Sequence, residues 1–394
     1  MSKNIKGAIP KWRFLEFRDS GEWEEKELNE SLDYLQPTQY LVQSENYSNN
    51  YETPVLTAGK SFVLGYTNEK DGIFNNKLPV IIFDDFTTDS KFVDFQFKVK
   101  SSAIKILLAK YNFNIKFIFE IMQMVSYEVS VHKRHWISIF SKLKVLIPKL
   151  PEQQKIADCL SSIDDLISVE EKKLSLLNDY KKGWMQKLFP IEGRNVPEWR
   201  FPEFRASGEW ENTTIGKIAD YENGKAHENN IINNGKYIVV NSKFISTEGE
   251  IIKYTNEANL LAYKGDILMV LSDVPNGRAL SKCYLVDKDN LYTVNQRVCR
   301  ITPKKINSIL FFYTIDRNKY FLAFDDGVKQ TNLRKNDVLH CSVVIPKDSN
   351  EQNKIADFLS GIDELLCRQI DKIEALKKHK KALMQGLFPV AEEV

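Results

Sequence analysis

EQQKIADCLSSIDDLISVEEKKLSLLNDYKKGWMQKLFP, residues 152–190, returns as EQNKIADFLSGIDELLCRQIDKIEALKKHKKALMQGLFP at 351–389, with 20 of 39 positions identical and no gap. In the first copy apolar residues fall at Ile156, Leu160, Ile163, Ile167, Leu174, Leu177, Trp184 and Leu188; in the second at Ile355, Leu359, Ile362, Leu366, Ile373, Leu376, Leu383 and Leu387. Both sets step by threes, fours and sevens, which is a helical seam with two polar interruptions. Pro148 and Pro151 precede the first copy, Pro346 precedes the second, and Pro190 and Pro389 end them, as prolines do at helix boundaries. Each copy predicts a helix of about 37 residues, about 55 Å long at ~1.5 Å per residue. A seam of that length needs a partner, and the other copy is the obvious one. The expectation is an antiparallel helix pair with Ile156, Leu160, Ile163, Ile167, Leu174, Leu177, Ile355, Leu359, Ile362, Leu366, Ile373 and Leu376 at its interface.

A second repeat opens each half. PKWRFLEFRDSGEWE at 10–24 and PEWRFPEFRASGEWE at 197–211 agree at 12 of 15 positions. The chain is therefore two half-chains in the order opening motif, body, long helix. The bodies, 25–147 and 212–346, show no defensible alignment. Both hold β-branched and aromatic runs bounded by Gly, Asn or Asp: 78–86, 92–99, 235–242, 265–272 and 292–301. Each also has an apolar stretch that reads as helix, 103–125 and 306–324. The fold class is α/β, mixed α+β: two strand-rich domains (1–150 and 191–349) separated by an antiparallel pair of long helices (151–190 and 350–394) with internal pseudo-two-fold symmetry.

The 394 residues carry 55 Lys+Arg against 53 Asp+Glu. A near-neutral sum neither demands nor excludes a polyanion, because local patches decide. Five cysteines, Cys159, Cys283, Cys299, Cys341 and Cys367, form no CxxC pair, which favours a reducing compartment over a disulfide framework. The N-terminus lacks an apolar signal core and no run approaches a membrane span, so a cytoplasmic protein without membrane contact is expected.

Catalytic signatures are missing. Gly59-Lys60-Ser61 resembles the end of a phosphate-binding loop, but Pro54 stands where its first glycine belongs. No GxGxxG and no Asn-Pro occur. Asp84-Asp85 reads as a turn at a strand end, and His132 and His135 lack the partners of a zinc site. No metal and no catalytic residue is assigned. What remains is residue chemistry suited to phosphates and base edges. In the first body it is Lys60, Asn68, Thr87, Thr88, Lys98, Lys100, Ser101, Ser102 and the cluster His132, Lys133, Arg134, His135. In the second it is Lys225, Asn241, Lys243, Asn276, Arg278, Asn295, Gln296, Arg297 and the run Lys329, Gln330, Thr331, Asn332, Leu333, Arg334, Lys335. Two unlike heads on a spacer of about 50 Å would read two half-sites separated by roughly one to one and a half turns of B-DNA.

The opening motif, the stretches IPKLPEQQKIADCLSSID (147–164) and IPKDSNEQNKIADFLSGID (345–363), and MQxLFP at 185–190 and 384–389 resemble the specificity (S) subunit of type I restriction-modification enzymes. The resemblance covers nearly the whole chain. Gly327, Gln330 and Leu333 also match the family's Gly-x-x-Gln-x-x-Leu stretch, whereas the corresponding place in the first body, His132–Trp136, lacks the glycine and glutamine. The resemblance implies a non-catalytic subunit whose two target-recognition domains read a bipartite, gapped site in double-stranded DNA. It implies two methyltransferase (M) subunits that bind S-adenosylmethionine and modify adenine N6, with no cofactor in this chain, and restriction (R) subunits that translocate and cleave DNA. The helices would space the heads and dock the methyltransferases. From residues alone, a two-headed protein adaptor spaced by a coiled coil stays open.

Overall fold

The computed structural model describes residues 9–57, 59, 61–125, 135, 136 and 139–389. The chain forms two compact units, residues 1–172 with 370–394 and residues 173–369.

The first unit holds, in order, β1 (Glu24–Glu27), β2 (Leu32–Leu35), β3 (Thr53–Leu56), β4 (Val63–Thr67), β5 (Val80–Asp84), β6 (Ser90–Val93), β7 (Lys98–Val99), β8 (Ile104–Ala109) and β9 (Lys144–Ile147). One sheet has the order β2-β8-β5-β6, a smaller one β4-β3-β7, and β1 pairs with β9. β5 lies buried between two cores, which is why it reads as an unbroken apolar run. Successive side chains point to opposite faces: Ile81 and Phe83 join a core with the helix Ile115–Met124, while Val80 and Ile82 join a core under the smaller sheet. The first core is completed by Ile156, Ala157 and Leu160 of the central helix, Leu150–Leu188, and by Met384, Leu387 and Phe388 at the end of the C-terminal helix, Ser349–Leu387.

The second unit repeats the plan with β10 (Glu211–Thr214), β11 (Ala219–Asn223), β12 (Tyr237–Val240), β13 (Tyr254–Thr255), β14 (Leu261–Ala262), β15 (Ile267–Val270), β16 (Ser272–Asp273), β17 (Cys283–Leu285), β18 (Tyr292–Val294), β19 (Val298–Pro303), β20 (Thr331–Asn332) and β21 (Ser342–Ile345). Its main sheet is β11-β19-β15-β17, its second sheet β13-β12-β18-β14, and β10 pairs with β21. Within β4-β3-β7 and within β13-β12-β18-β14 one pair is parallel, β3 with β7 and β12 with β18. β15 again lies between two cores, Ile267 and Met269 on one side, Leu268 and Val270 on the other. The bodies that share no legible alignment therefore share a topology. Strand pairing constrains where apolar side chains point, not which ones they are, so the sequences drifted while the pairing stayed.

Three readings of local structure change. Residues 104–109 of the stretch read as helix are β8: Ile104 and Ile106 face one core and Leu107 the other, so burial on both faces hid the alternation. The helical stretch 306–324 breaks into Ser308–Ile315 and Lys319–Leu322, because the Asp316 carboxylate accepts from the Cys283 amide, Arg317 takes φ 51° and Asn318 caps the next helix. The runs 92–99 and 292–301 each divide between two sheets.

The two 39-residue helices run antiparallel within each unit. In the first, Asp164 pairs with Lys380 and Glu170 with Lys372; in the second, Lys181 pairs with Asp363. Of the seam residues, Ile156, Leu160, Ile167, Ile355, Leu359, Ile362, Leu366 and Ile373 are buried. Ile163, Leu174, Leu177 and Leu376 are half-buried.

Candidate nucleic-acid interface

The repeated motifs turn out to build the scaffold. Arg13 Nε and Nη2 donate to the two carboxylate oxygens of Glu152 at 2.7 Å each, and Trp23 Nε1 donates to the same group at 3.3 Å. Arg200, Trp210 and Glu351 repeat this at 2.5, 2.6 and 3.2 Å. A bidentate guanidinium–carboxylate pair satisfies a buried acid fully. The Glu152 hydrogen bond is the main reason Arg13 is held even more firmly protonated than usual, and Glu351 does the same for Arg200. The next residue, Gln153 or Gln352, donates to the carbonyl of Pro148 or Pro346 at 2.8 Å and accepts from the amide of Asn114 or Asn307 at 2.9 Å. The Glu-Gln dipeptide thus locks the opening motif and the domain's own helix to the start of the long helix. No sequence signal beyond the repeat itself pointed to this.

Away from that clamp, each body ends in an edge tied by the same three backbone hydrogen bonds. In the second body the amide of Asn295 donates to the carbonyl of Val240 at 3.0 Å, that of Leu271 to Arg297 at 2.9 Å, and that of Leu333 to Leu271 at 2.8 Å. In the first, Lys100 donates to Leu56 at 3.0 Å, Asp85 to Ala103 at 3.0 Å, and His135 to Asp85 at 2.8 Å. Register therefore equates Lys100 with Asn295, Ala103 with Arg297, and His135 with Leu333, the first head carrying one extra residue between the first two positions.

At the second edge the candidate residues come together. Gly224, whose Cβ would lie 2.0 Å from the Asn295 carbonyl, lets the 223–225 turn press against that strand end. Lys225, Gln296, Arg297 and the loops 271–279 and 325–335 lie along it. The Asp273 carboxylate accepts from the amides of Val274, Ala279 and Leu280 at 2.6–3.1 Å, and a Cβ at Gly277 would sit 2.2 Å from that carboxylate and push it off those amides. Asn276 bridges the loops by bonding Asp325 at 3.1 Å and the Gly327 carbonyl at 3.3 Å. Lys225, Lys243, Arg278, Arg297, Lys329 and Arg334 are exposed, and none has a carboxylate within ion-pair distance among the described residues. Such uncompensated cations suit a polyanion. Asn295 Oδ1 is buried without a hydrogen-bond partner, an acceptor left open at the edge.

Several candidates have other work. Asn241 caps the helix Ser242–Ser246 by accepting from Phe244 at 2.9 Å. Gln330 donates to Ser272 Oγ at 2.8 Å, Thr331 is buried, exposed Asn332 pairs with Ser272, and Leu333 is core. The Gly-x-x-Gln-x-x-Leu stretch is therefore a loop anchor: Gly327 supplies φ 71°, Gln330 ties the loop and Leu333 roots it.

The first edge is more nearly neutral. Lys98 is buried against Glu69 at 2.9 Å and the Asp71 carbonyl at 2.6 Å. Lys100 is paired with Glu45 and lies over the Tyr47 ring. Thr87 is exposed and Thr88 half-exposed in the turn that Asp84 organises, and Ser101 accepts from the Ala103 amide at 3.1 Å. Lys60, His132, Lys133 and Arg134 lie outside the described residues. Among the described residues no three His, Cys, Asp or Glu are placed to hold a metal ion, the cysteines are unpaired, and no helix is long and apolar enough to cross a membrane.

The family model of the type I restriction modification DNA specificity domain matches twice, over residues 20–179 and 207–375. The chain belongs to that family. It is 30% identical over 357 residues, 86% of each chain, to the specificity subunit of the type I restriction enzyme EcoR124I/EcoR124II of Escherichia coli. It is 29% identical over 268 residues, 64% of this chain and 62% of the relative, to the MjaVIII specificity subunit of Methanocaldococcus jannaschii. The crystal structure of a type I S subunit from M. genitalium superposes with a TM-score of 0.66 at 16% identity, over 97% of this chain and all of that one, which is a likeness of fold. The chain is thus a specificity subunit of a type I restriction-modification system, a non-catalytic DNA-recognition component. Both family matches run from a body into the long helix that follows it, so the repeated unit is body plus helix.

Proposed function

We propose that each head of this specificity subunit reads one half of a bipartite, gapped site in double-stranded DNA through the edge just described. One observation carries the reading: the same three-bond strap recurs in both heads, yet the side chains mounted on it differ. A duplicated frame presenting unlike polar loops is what two half-sites of different sequence require. Six exposed, unpaired cations at the second edge supply phosphate contacts. The chain contributes no chemistry of its own. Two methyltransferase subunits, docked on the long helices, bind S-adenosylmethionine and modify adenine N6, and restriction subunits join the same complex, which acts on cytoplasmic DNA.

The test is a methylome. The chain is expressed with its cognate methyltransferase subunit in an unmethylated host, N6-methyladenine is mapped by long-read sequencing, and the methyltransferase alone is the control. A gapped two-part motif that depends on this chain is expected. Replacing residues 212–346 by the body of a relative should change one half of that motif and leave the other. No chain-dependent motif from a soluble complex would overturn the reading in favour of a two-headed protein adaptor.

A further inference from the structure

One side chain outside the candidate set stands at the first edge in an unusual setting. Gln36 follows β2 and is exposed, but its Oε1 accepts from Lys105 Nζ at 2.9 Å. That lysine is buried, with side-chain exposure of 1%, and its ammonium lies 3.5 Å from Asp85 Oδ2, itself 2% exposed. Asp85 in turn accepts from the Trp136 amide at 2.8 Å. A lysine ammonium only donates, so the atom of Gln36 that faces it must be the carbonyl oxygen. The amide nitrogen of this exposed residue keeps both donors, with no protein acceptor for them among the described residues.

The second head does the same with different residues. Strand register equates β11 with β2 and β19 with β8, so that Tyr221 matches Tyr34, Cys299 matches Lys105 and Asn223 matches Gln36. Asn223 is exposed, and its Oδ1 accepts from the buried Tyr221 hydroxyl at 2.6 Å. Two heads without legible sequence alignment thus place a carboxamide at one structural position and occupy its oxygen from below. A buried ion pair is seldom a net gain in stability over apolar packing, and the second head keeps the same strand pairing without it, placing Leu271 and Cys299 where the first has Asp85 and Lys105.

We propose that Gln36 and Asn223 are specificity-determining residues that present oriented amide donors to hydrogen-bond acceptors of the DNA, with Lys105 and Tyr221 as positioning residues. The inference rests on the edge reading above. Carboxamides that grip adenine use donor and acceptor together. Here one lone pair of each oxygen is already taken from within the head and the carbonyl is pinned to its donor, so what these groups offer first is the amide donor, and the partner is an acceptor: guanine O6 or N7, thymine O4, or a phosphate oxygen. Asn223 adjoins Gly224 and Lys225 in the turn pressed against Asn295, which places its amide among the second edge's cations.

The experiment uses the full chain in its methyltransferase complex. The variants Gln36→Leu, Asn223→Leu and Tyr221→Phe are compared with wild type by methylome and by DNA binding across a salt series. A base-edge contact predicts about tenfold relaxed discrimination at one position of one half-site, the other half being unchanged. A phosphate contact predicts weaker binding to every sequence and a salt slope smaller by about one. Either result supports the donors and tells the two acceptors apart. Tyr221→Phe removes only a hydroxyl and should repeat the Asn223→Leu profile, which a merely structural role for Tyr221 would not do. Wild-type profiles and salt slopes in Gln36→Leu and Asn223→Leu would overturn the inference while the wild-type motif stands. Absence of that motif in wild type would instead overturn the edge reading.

Discussion

Asp164 is held between Lys116 and Lys380, at 2.7 and 2.8 Å, and both lysines also reach the buried Glu120 at 2.7 and 3.0 Å. The group ties the domain helix Ile115–Met124 to both long helices within the first unit. Asp363, at the repeated position, accepts from Tyr313 and pairs with Lys181 at 2.5 Å. Burial opposes ionisation of Asp164, but the two lysine hydrogen bonds outweigh it and hold its carboxyl below the usual carboxylate range. A depressed folded-state value contributes stability above the unfolded pKa, and that contribution is lost as pH falls through the folded one. Asp164→Asn should therefore be least stable relative to wild type at neutral pH. The gap should narrow below the ordinary aspartate pKa of about 3.9, as thermal melts from pH 7 to pH 2.5 will show. A gap that stays constant across that range would rule out the charge as the cause. Asp164, Asp363, Lys181 and Lys380 are all identical between the copies, yet identity alone did not reveal that they join body to helix.

Among the elements, the seam spacing marked the buried side of both long helices, because a 3.6-residue period leaves its trace in any amphipathic helix. It did not rank the positions. Ile362 is 4% exposed in the second core, whereas Ile163 is half-buried. Ile362→Asp should cost several kcal/mol, since it buries an unpaired charge, and Ile163→Asp clearly less, with chemical denaturation of each single variant as the measurement. Equal losses would mean that the seam is uniformly dry. The strands were harder to delimit. β5 and β8 are covered on both faces, so alternation vanished and β8 merged with the helix after it. The runs 92–99 and 292–301 hid strand switches, because leaving one sheet for another costs no apolar residues.

For the whole molecule, charge is the informative quantity. A net +2 over 394 residues conceals an edge in the second head with six exposed unpaired cations, while the described first edge pairs its lysines with Glu69, Glu45 and Asp85. The two half-sites should respond differently to salt. Replacing Lys225, Arg278 and Lys329 together by alanine should lower the slope of log affinity against log salt by up to about three. Neutralising Lys98 and Lys100 should change it by less, because those charges are already compensated. Equal slopes in binding titrations would remove the cations from the interface.

The sequence by itself determined the duplicated frame, the two long helices, the family and the absence of a catalytic motif, because repeats, helical period and motif spacing are written in consecutive residues. It also named the loops of the second edge, since glycines and polar clusters mark loops wherever they occur. Only the tertiary structure decided that the two bodies share one topology and that the Glu-Gln dipeptides clamp the opening motifs. It alone turned Gln330 into an anchor and Gln36 and Asn223 into oriented donors. Each of those facts depends on partners 39 to 151 positions away, or on a neighbour whose role is set by strand register. Separation of that kind leaves no periodic trace, and so it became visible only when the strands were paired.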